Sequence, residues 1–173
     1  ENQHVSKVWH EHFYCAPNGT PFKCEYSFET INTPKDDIFA AIERAENLDS
    51  IVFNGTEVKP LKTPGELGAF NDEKSWMDIS FTKVPLKGLV REGINTLVIE
   101  GRKVNNITGP WTHEPVQNPE KHAATEAETV YIVGNFSVQS EDSKSFFIDG
   151  KIPKLNQENI VQTGYPFYAG NIE

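Results

Sequence analysis

The sequence predicts an all-β protein, an antiparallel β-sandwich, from three observations. Short segments alternate between apolar and polar residues, turn-forming pairs separate these segments, and no strand–helix–strand rhythm runs along the chain. A chain of 173 residues is long enough for one domain with a hydrophobic core. We therefore expect residues 1–173 to form a single two-layer module of roughly eight or nine short strands.

Two segments carry the clearest strand pattern. In residues 22–29, FKCEYSFE, every second side chain is aromatic or sulfur-bearing and the others are polar, which is the period of a half-buried strand. Residues 130–138, VYIVGNFSV, alternate in the same way, with Phe136 and Val138 on the predicted inner face and Ser137 on the outer one. Both segments are predicted to lie on a packed sheet.

Other strands are predicted between tight turns. Asparagine and glycine adopt positive φ at little cost, so Asn-Gly pairs and Gly-x-Asn turns favour chain reversals and serve the scaffold. Such turns are predicted at Asn54-Gly55, Glu92-Gly93, Gly93 to Asn95 and Asp149-Gly150. The remaining strand candidates are HFYC, SIVFNG, WMDISF, NTLVIEG, SFFID and the NIVQTGYPFY region.

One segment, residues 33–47, carries conflicting signals. A threonine placed to cap a helix precedes Pro34, and Ile38 and Ile42 would share a helical face. The same isoleucines also share one face of a strand with Ala40. Local signals alone favour a helix, and the alternation leaves a strand open.

Charge restricts the classes of partner. The formal net charge is −9, and the 16 basic residues are scattered among 25 acidic ones without forming a stripe. No basic surface to neutralise phosphates is therefore expected, which argues against nucleic acid and against an anionic membrane as partners. No apolar run approaches the ~20 residues needed to cross a bilayer.

The two cysteines allow one conditional inference. Cys15 and Cys24 flank APNGTPFK, and a hairpin that turns about Gly19-Thr20 would place them opposite each other. A hairpin that turns about Asn18-Gly19 would place Cys15 opposite Phe22 and favour no disulfide. Both alternatives are open, and a bridge would indicate an oxidising compartment.

No catalytic motif is found in the sequence. His10 and His12 would share one face of a strand, but they have no evident third ligand, and no metal site is predicted there. Asp78 could contact a ligand or a structural calcium ion, although its alternation with apolar neighbours favours a solvated or turn-bonded carboxylate. We therefore expect no catalytic residues, and calcium is the only cofactor considered.

The most function-like stretch is residues 101–128, a connection far longer than an ordinary hairpin loop. Sugars present apolar C–H faces ringed by hydroxyl groups, so a sugar site needs an exposed aromatic ring with polar groups around it. Trp111 would supply the ring, unless it holds the loop to the sandwich or contacts a neighbouring domain. Trp76 begins a strand, where a core position competes with a sugar-binding one. The candidate carbohydrate-binding residues are Trp111, His113, Glu114, Arg102, Asn105 and Trp76.

Several motifs together resemble a known group of domains. The segments IVFNGTEV, SWMDISFTKVPLKGLVREGINTLVIEG, ETVYIVGNFSV and GYPFYAG are similar to the sugar-binding-type, galactose-binding-like jelly-roll modules of large bacterial glycoside hydrolases of family 2 and their rhamnosidase-like relatives. The resemblance spans roughly residues 22–173 and departs from the group at Asn135, where an aspartate is usual. It implies a jelly roll, turns residues 34–47 into a strand, and implies that a further strand follows GYPFYAG in a longer parent chain.

The function implied by this resemblance is that of a non-catalytic accessory module. Such a module would bind glycan, or shape the cleft of a neighbouring catalytic domain of the same chain, outside the cell or at its surface. Two alternatives remain, a structural or adhesive sandwich with a protein partner and a small hydrolase.

Replacing Trp111 distinguishes the three roles considered for it. If Trp111 stacks on sugar, Trp111→Ala removes a contact that contributes on the order of 1 to 3 kcal/mol, and glycan affinity falls about tenfold while the fold survives. If Trp111 holds the loop, the melting temperature falls and the affinity stays. If it contacts a neighbouring domain, the isolated module shows neither effect. Unchanged affinity in a chain that binds sugar would rule out the stacking role.

Overall fold

The alternating segments of the sequence fold into two β-sheets. A computed structural model describes residues 16–66, 68–70, 72–104, 130–142, 144–151, 160 and 165–166. The strands in these residues are β1 (Pro21–Asn32), β2 (Ile38–Glu43), β3 (Ser50–Phe53), β4 (Thr56–Glu57), β5 (Ser75–Trp76), β6 (Asp78–Pro85), β7 (Gly93–Arg102), β8 (Val130–Gly134), β9 (Ser137–Gln139) and β10 (Phe147–Asp149). One short 3-10 helix covers Ala45–Asn47.

The two sheets form a β-sandwich, as predicted. A six-stranded sheet has the order β4-β3-β7-β1-β10-β9, and a four-stranded sheet has the order β5-β6-β2-β8. The prediction of a wholly antiparallel structure is wrong at one place, because β10 runs parallel to β1, with Glu29 opposite Phe147. β9 and β10 are antiparallel neighbours, and β10 lies beside the last residues of β1 and runs in the same direction as β1.

The hydrophobic core lies between the sheets and is lined by alternate residues of each strand. The aromatic and sulfur-bearing face of β1 is half-buried against this core, as its alternation predicts, and Phe28 stacks on Phe53 with ring centroids 6.1 Å apart. The buried core residues are Ile38, Ala40, Ile42, Ala45, Ile51, Phe53, Val58, Val84, Leu86, Val90, Leu97 and Ile99.

Within residues 33–47, residues 38–43 form strand β2 and not the helix that local signals favour, and only Ala45–Asn47 form a short 3-10 helix. β2 pairs with β6 on one side and with β8 on the other, so its backbone groups are hydrogen-bonded across two strands. Ile38 and Ile42 face the core, and Ala41 on the opposite face is also fully buried. Burial on both faces favours a central strand over an amphipathic helix, which buries only one stripe of side chains.

Residues 130–138 form two strands in different sheets, which corrects the prediction of one continuous strand. β8 belongs to the four-stranded sheet and β9 to the six-stranded sheet, and the chain crosses at Asn135 and Phe136. Ser137, which was predicted to face outward, is therefore buried in β9. Its hydroxyl donates a hydrogen bond to the carbonyl oxygen of Lys151 at 2.8 Å.

The segment WMDISF is also divided. Met77 separates β5 from β6 and has a φ of 56°, a left-handed conformation that interrupts an extended strand. The predicted turn at Asn54-Gly55 is confirmed by φ values of 50° and 82°. Glycine at position 150 lets the backbone pass close to Asn32, because a Cβ atom there would lie only 2.7 Å from the carbonyl oxygen of Asn32.

Two asparagine side chains join the turns at one end of the six-stranded sheet. Asn95 is fully buried, its Nδ2 donates to the carbonyl oxygen of Arg91 at 2.7 Å, and its Oδ1 accepts from the backbone N–H of Arg91 at 2.9 Å. Asn54 Nδ2 donates to Asn95 Oδ1 at 2.8 Å and to the carbonyl oxygen of Leu89 at 2.9 Å. The scaffold role predicted for both turns is therefore carried by side chains as well as by backbone conformation.

Several predictions fall on other parts of the chain. HFYC and the pair His10 and His12 lie outside the described residues, as do residues 105–129. In the NIVQTGYPFY region only Ile160, Tyr165 and Pro166 are described. Within the described part of the chain, no helix has the length and apolar character needed to span a bilayer.

Removing the Asn95 side chain tests the role of the buried amide pair. We expect Asn95→Ala to lower the free energy of unfolding by about 2 to 3 kcal/mol, because it leaves buried donors and acceptors without partners. Urea denaturation measures this change. The control is Asn135→Ala, which removes one exposed hydrogen bond to Asp36 and should cost no more than about 0.5 kcal/mol. Equal losses in both variants would contradict the assignment.

Candidate functional site

Only two of the predicted sugar-binding residues lie in the described part of the chain. Arg102 ends β7 on the six-stranded sheet, where its Nε lies 3.7 Å from Asp49 Oδ2 and its guanidinium donates to the carbonyl oxygen of Gly19. Trp76 ends β5 on the four-stranded sheet. The structure therefore places Arg102 and Trp76 in different sheets. Trp111, His113, Glu114 and Asn105 lie outside the described residues.

Trp76 belongs to a cluster of three aromatic side chains. Its ring centroid lies 4.8 Å from that of Tyr131 and 6.2 Å from that of Phe81, and Phe81 and Tyr131 are 5.5 Å apart. The interplanar angles are 47°, 89° and 65°, so the rings meet as tilted and edge-to-face pairs, as aromatic quadrupoles favour. None of the three belongs to the buried core cluster between the sheets. We call these three residues the outer aromatic cluster.

Strand alternation places the cluster on the outer face of the four-stranded sheet. In β6, Ser80 and Thr82 are buried, so Phe81 between them points to the opposite face. Tyr131 stands directly opposite Ala41 across the β2–β8 pair. Because Ala41 carries only a methyl group, Tyr131 and Phe81 can meet above the strand that separates them, and their rings leave Ala41 fully buried.

Lys83 forms one border of the cluster. It lies opposite Ala41 on β6, and its ammonium group is 5.8 Å from the ring centroid of Phe39, within the range of a cation–π contact. The same Nζ donates to the backbone carbonyl of Asp72 at 2.7 Å. Lys83 therefore ties the connection before β5 to the outer face of the sheet.

The connection that leads into β5 is held by charged side chains. The Asp72 carboxylate accepts hydrogen bonds from the backbone N–H groups of Ala69 and Lys74 at 2.8 Å and of Ser75 at 2.6 Å. These hydrogen bonds, of which the one from Ala69 contributes most, lower the pKa of Asp72 to about 2. Lys62 is buried and donates to the backbone carbonyl of Ile79. These contacts fix the backbone that immediately precedes Trp76.

Exposed apolar side chains occur within the cluster and at residues near it along β5 and β6. Tyr131 itself is 42% exposed, and Ile79 and Met77 are 51% and 56% exposed. Ile79 lies two positions before Phe81 on the same face of β6, and Met77 directly follows Trp76. The outer face thus offers a partly solvated aromatic and aliphatic surface.

Two carboxylates belong to the strands that carry this surface. Asp78 accepts hydrogen bonds from the backbone N–H of Ser80 at 2.7 Å and from its hydroxyl at 2.8 Å, and the backbone bond is the main cause of its lowered pKa. The turn-bonded interpretation of Asp78 therefore fits the structure. Glu43 stands opposite Phe81 in the β2–β6 pair. Within the described ranges, no three His, Cys, Asp or Glu side chains are grouped to hold a metal ion.

Sequence reasoning found Trp76 but missed its two partners. Phe81 and Tyr131 each follow the alternation of their own strands, which is a signal for facing outward. Their contact depends on β6, β2 and β8 lying side by side and on the small side chain of Ala41. The strand order of the sheet cannot be read from the alternation of each strand alone.

Cys24 is half-buried and forms no disulfide with any cysteine in the described part of the chain. Burial raises its pKa, and burial raises the pKa of neighbouring Tyr26 to about 12. Cys15 lies outside the described residues, so the Cys15–Cys24 disulfide stays a prediction.

Thiol alkylation tests the environment of Cys24. In a Cys15→Ser variant, the rate of reaction with iodoacetamide should rise with pH around an apparent pKa above the usual value of about 8.5, because burial disfavours the thiolate. The same variant unfolded in urea is the control and should react faster at pH 8. Equal rates in the folded and unfolded protein would contradict the burial of this thiol.

Comparisons with protein-family profiles, with curated proteins and with solved structures each found no match to this chain.

Proposed function

We propose that this chain is a non-catalytic β-sandwich module that binds glycan through the outer aromatic cluster. The observation that carries the proposal is the contact between Trp76 and Tyr131, with Tyr131 partly exposed, on an outer sheet face. Aromatic rings that are fixed by their neighbours and remain open to solvent offer a surface on which the C–H face of a sugar can stack.

The arrangement of the rings suits one or two sugar units. Their centroids lie 4.8 to 6.2 Å apart and their planes are steeply inclined, so the three rings form one compact group. A flat row of parallel rings would be needed to contact the surface of a crystalline polysaccharide. Glu43 stands opposite Phe81 in the β2–β6 pair, and its carboxylate can accept hydrogen bonds from sugar hydroxyls.

The wider setting belongs to the same proposal. We propose a jelly-roll, galactose-binding-like module of a secreted glycoside hydrolase, active outside the cell or at its surface, with a catalytic domain elsewhere in a longer chain. The motifs behind this resemblance include the β3–β4 hairpin, β7 and β8, which support it as elements of a two-sheet fold. Under this proposal the module itself performs no catalysis and needs no cofactor.

A protein partner is the second candidate function. Aromatic side chains are enriched at the centres of protein interfaces, and the exposed Ile79, on the same face of β6 as Phe81, extends the cluster with aliphatic surface. In this case the outer face would contact a neighbouring domain or an adhesive partner, and no free glycan would bind.

Binding measurements on Tyr131→Ala and Trp76→Ala test the glycan proposal. We expect each substitution to weaken binding to soluble polysaccharides about tenfold or more, since a stacked aromatic contributes on the order of 1 to 3 kcal/mol. Affinity gel electrophoresis with a panel of neutral and acidic polysaccharides measures the effect, and melting temperatures verify the fold.

The matched control is Ile94→Ala, which removes an exposed apolar side chain from β7 of the other sheet. It should leave binding unchanged. A wild-type chain that binds none of the polysaccharides would refute the glycan proposal and favour the protein partner. If both aromatic variants bind as tightly as the wild type, the glycan site lies elsewhere on the molecule.

A further inference from the structure

Two polar side chains beside β5 are buried without the partners that buried polar groups normally have. Lys62 is only 2% exposed, and the one hydrogen bond of its ammonium group within the described residues goes to the backbone carbonyl of Ile79. Ser75 is fully buried, and its hydroxyl has no hydrogen-bond partner in the same part of the chain. Hydroxyl and ammonium groups that leave water on burial are normally hydrogen-bonded, so each unsatisfied group needs an explanation.

The two side chains converge on Gly68. A Cβ atom at position 68 would lie 3.0 Å from Lys62 Nζ, 3.4 Å from the carbonyl oxygen of Ile79, and closer still to Ser75 Oγ. A side chain at this position would therefore collide with the hydroxyl, which explains the glycine. An ammonium group has three donor hydrogens and a hydroxyl group has one. After the bond to Ile79, three donors remain beside Gly68 for a ligand that accepts hydrogen bonds.

The nearby carboxylates do not pair with the Lys62 ammonium group. Among the described residues, no carboxylate lies within ion-pair distance of Lys62. Asp78 accepts hydrogen bonds from the backbone N–H and the hydroxyl of Ser80. Glu46 accepts a hydrogen bond at 2.5 Å from the hydroxyl of Thr82. The buried positive charge therefore lacks a direct counter-ion, which is costly in a protein interior.

Arg44 adds a second positive charge on this side of the sheet. The backbone hydrogen bond from Ser80 is the main cause of the lowered pKa of Asp78, and the charges of Arg44 and Lys62 lower it further. Arg44 likewise forms no ion pair with any carboxylate that the structure describes. The two cations favour a negatively charged ligand over a cation.

We propose that Lys62 and Ser75 bind a small inorganic anion beside Gly68, with the ammonium group and the hydroxyl group as its hydrogen-bond donors. Because both donors are almost fully buried, the ligand has to be small, and a monatomic ion such as chloride meets this requirement. The anion offsets the cost of the buried ammonium group and holds β5 to the sheet. This site is independent of the proposed glycan function, because Ser75 and Lys62 are buried whereas the outer aromatic cluster is partly exposed.

The melting temperature of the whole chain at increasing chloride concentration tests this proposal. Sodium gluconate replaces sodium chloride at constant ionic strength, so charge screening stays the same, and gluconate is too large for a buried site. An ion that binds only the folded chain raises the melting temperature. We expect a rise of about 3 °C or more between chloride-free buffer and about 0.5 M chloride. In crystals soaked in bromide, an anomalous peak should contact Lys62 Nζ and Ser75 Oγ.

Three variants locate the effect. Lys62→Met keeps an unbranched side chain of similar length without the charge, and it should abolish the chloride response. Ser75→Ala removes one donor and should reduce the response by about half or more. The matched control is Lys87→Met, which removes an exposed lysine paired with Asp37 and should keep the full response. If Lys62→Met does not fold, Ser75→Ala and the bromide map decide the outcome.

The contrary results are distinct. A melting temperature that does not depend on chloride overturns the proposal, and bromide in the map is then an adventitious ion only. A chloride response that Lys62→Met retains in full places the ion elsewhere and overturns this site. A water peak without bromide replaces the anion by a bound water molecule. If Ser75→Ala raises the melting temperature equally with and without chloride, its hydroxyl binds no ligand and the proposal is wrong.

Discussion

Burial of β2 on both faces is the constraint on which the rest of the structure depends. Its isoleucines and Ala40 face the core between the sheets, and Ala41 lies beneath the outer aromatic cluster. A helix over the same residues would leave β6 and β8 without their common partner. Because position 41 holds only a methyl group, Tyr131 and Phe81 meet above the strand. The same strand thus closes the core on one side and forms the floor of the candidate site on the other.

The buried asparagine pair and the proposed binding surface lie on different sheets. The Asn54–Asn95 pair satisfies the backbone groups of two turns at the end of the six-stranded sheet, where an unpaired buried amide would be costly. The outer aromatic cluster lies on the four-stranded sheet and outside the core. The strained backbone at Met77 belongs to the same sheet. A substitution in the outer aromatic cluster therefore leaves the core and the buried asparagines in place, which makes it a suitable test of the proposed binding.

Much of the fold could be predicted from the sequence, because alternation is a local property. It located β1 with its inner face and the turn at Asn54-Gly55. It could not locate the exchange of sheets at Asn135 or the parallel approach of β10, because both depend on which strands become neighbours. The candidate site was predicted only at Trp76, since its partners come from other strands. The candidates in residues 105–129 lie outside the described part of the chain and stay predictions.

The central claim is the proposed one, that the outer aromatic cluster on the four-stranded sheet binds glycan. Titration of the isotopically labelled chain with oligosaccharides from the neutral and acidic polysaccharides of the binding panel, followed by NMR, tests this claim most directly. We expect the largest shift changes at the Trp76 indole N–H, at the Phe81 and Tyr131 rings and at the methyl groups of Ile79, with the Asn95 amide unchanged. Changes confined to the six-stranded sheet, or no changes at saturating sugar, would contradict the account.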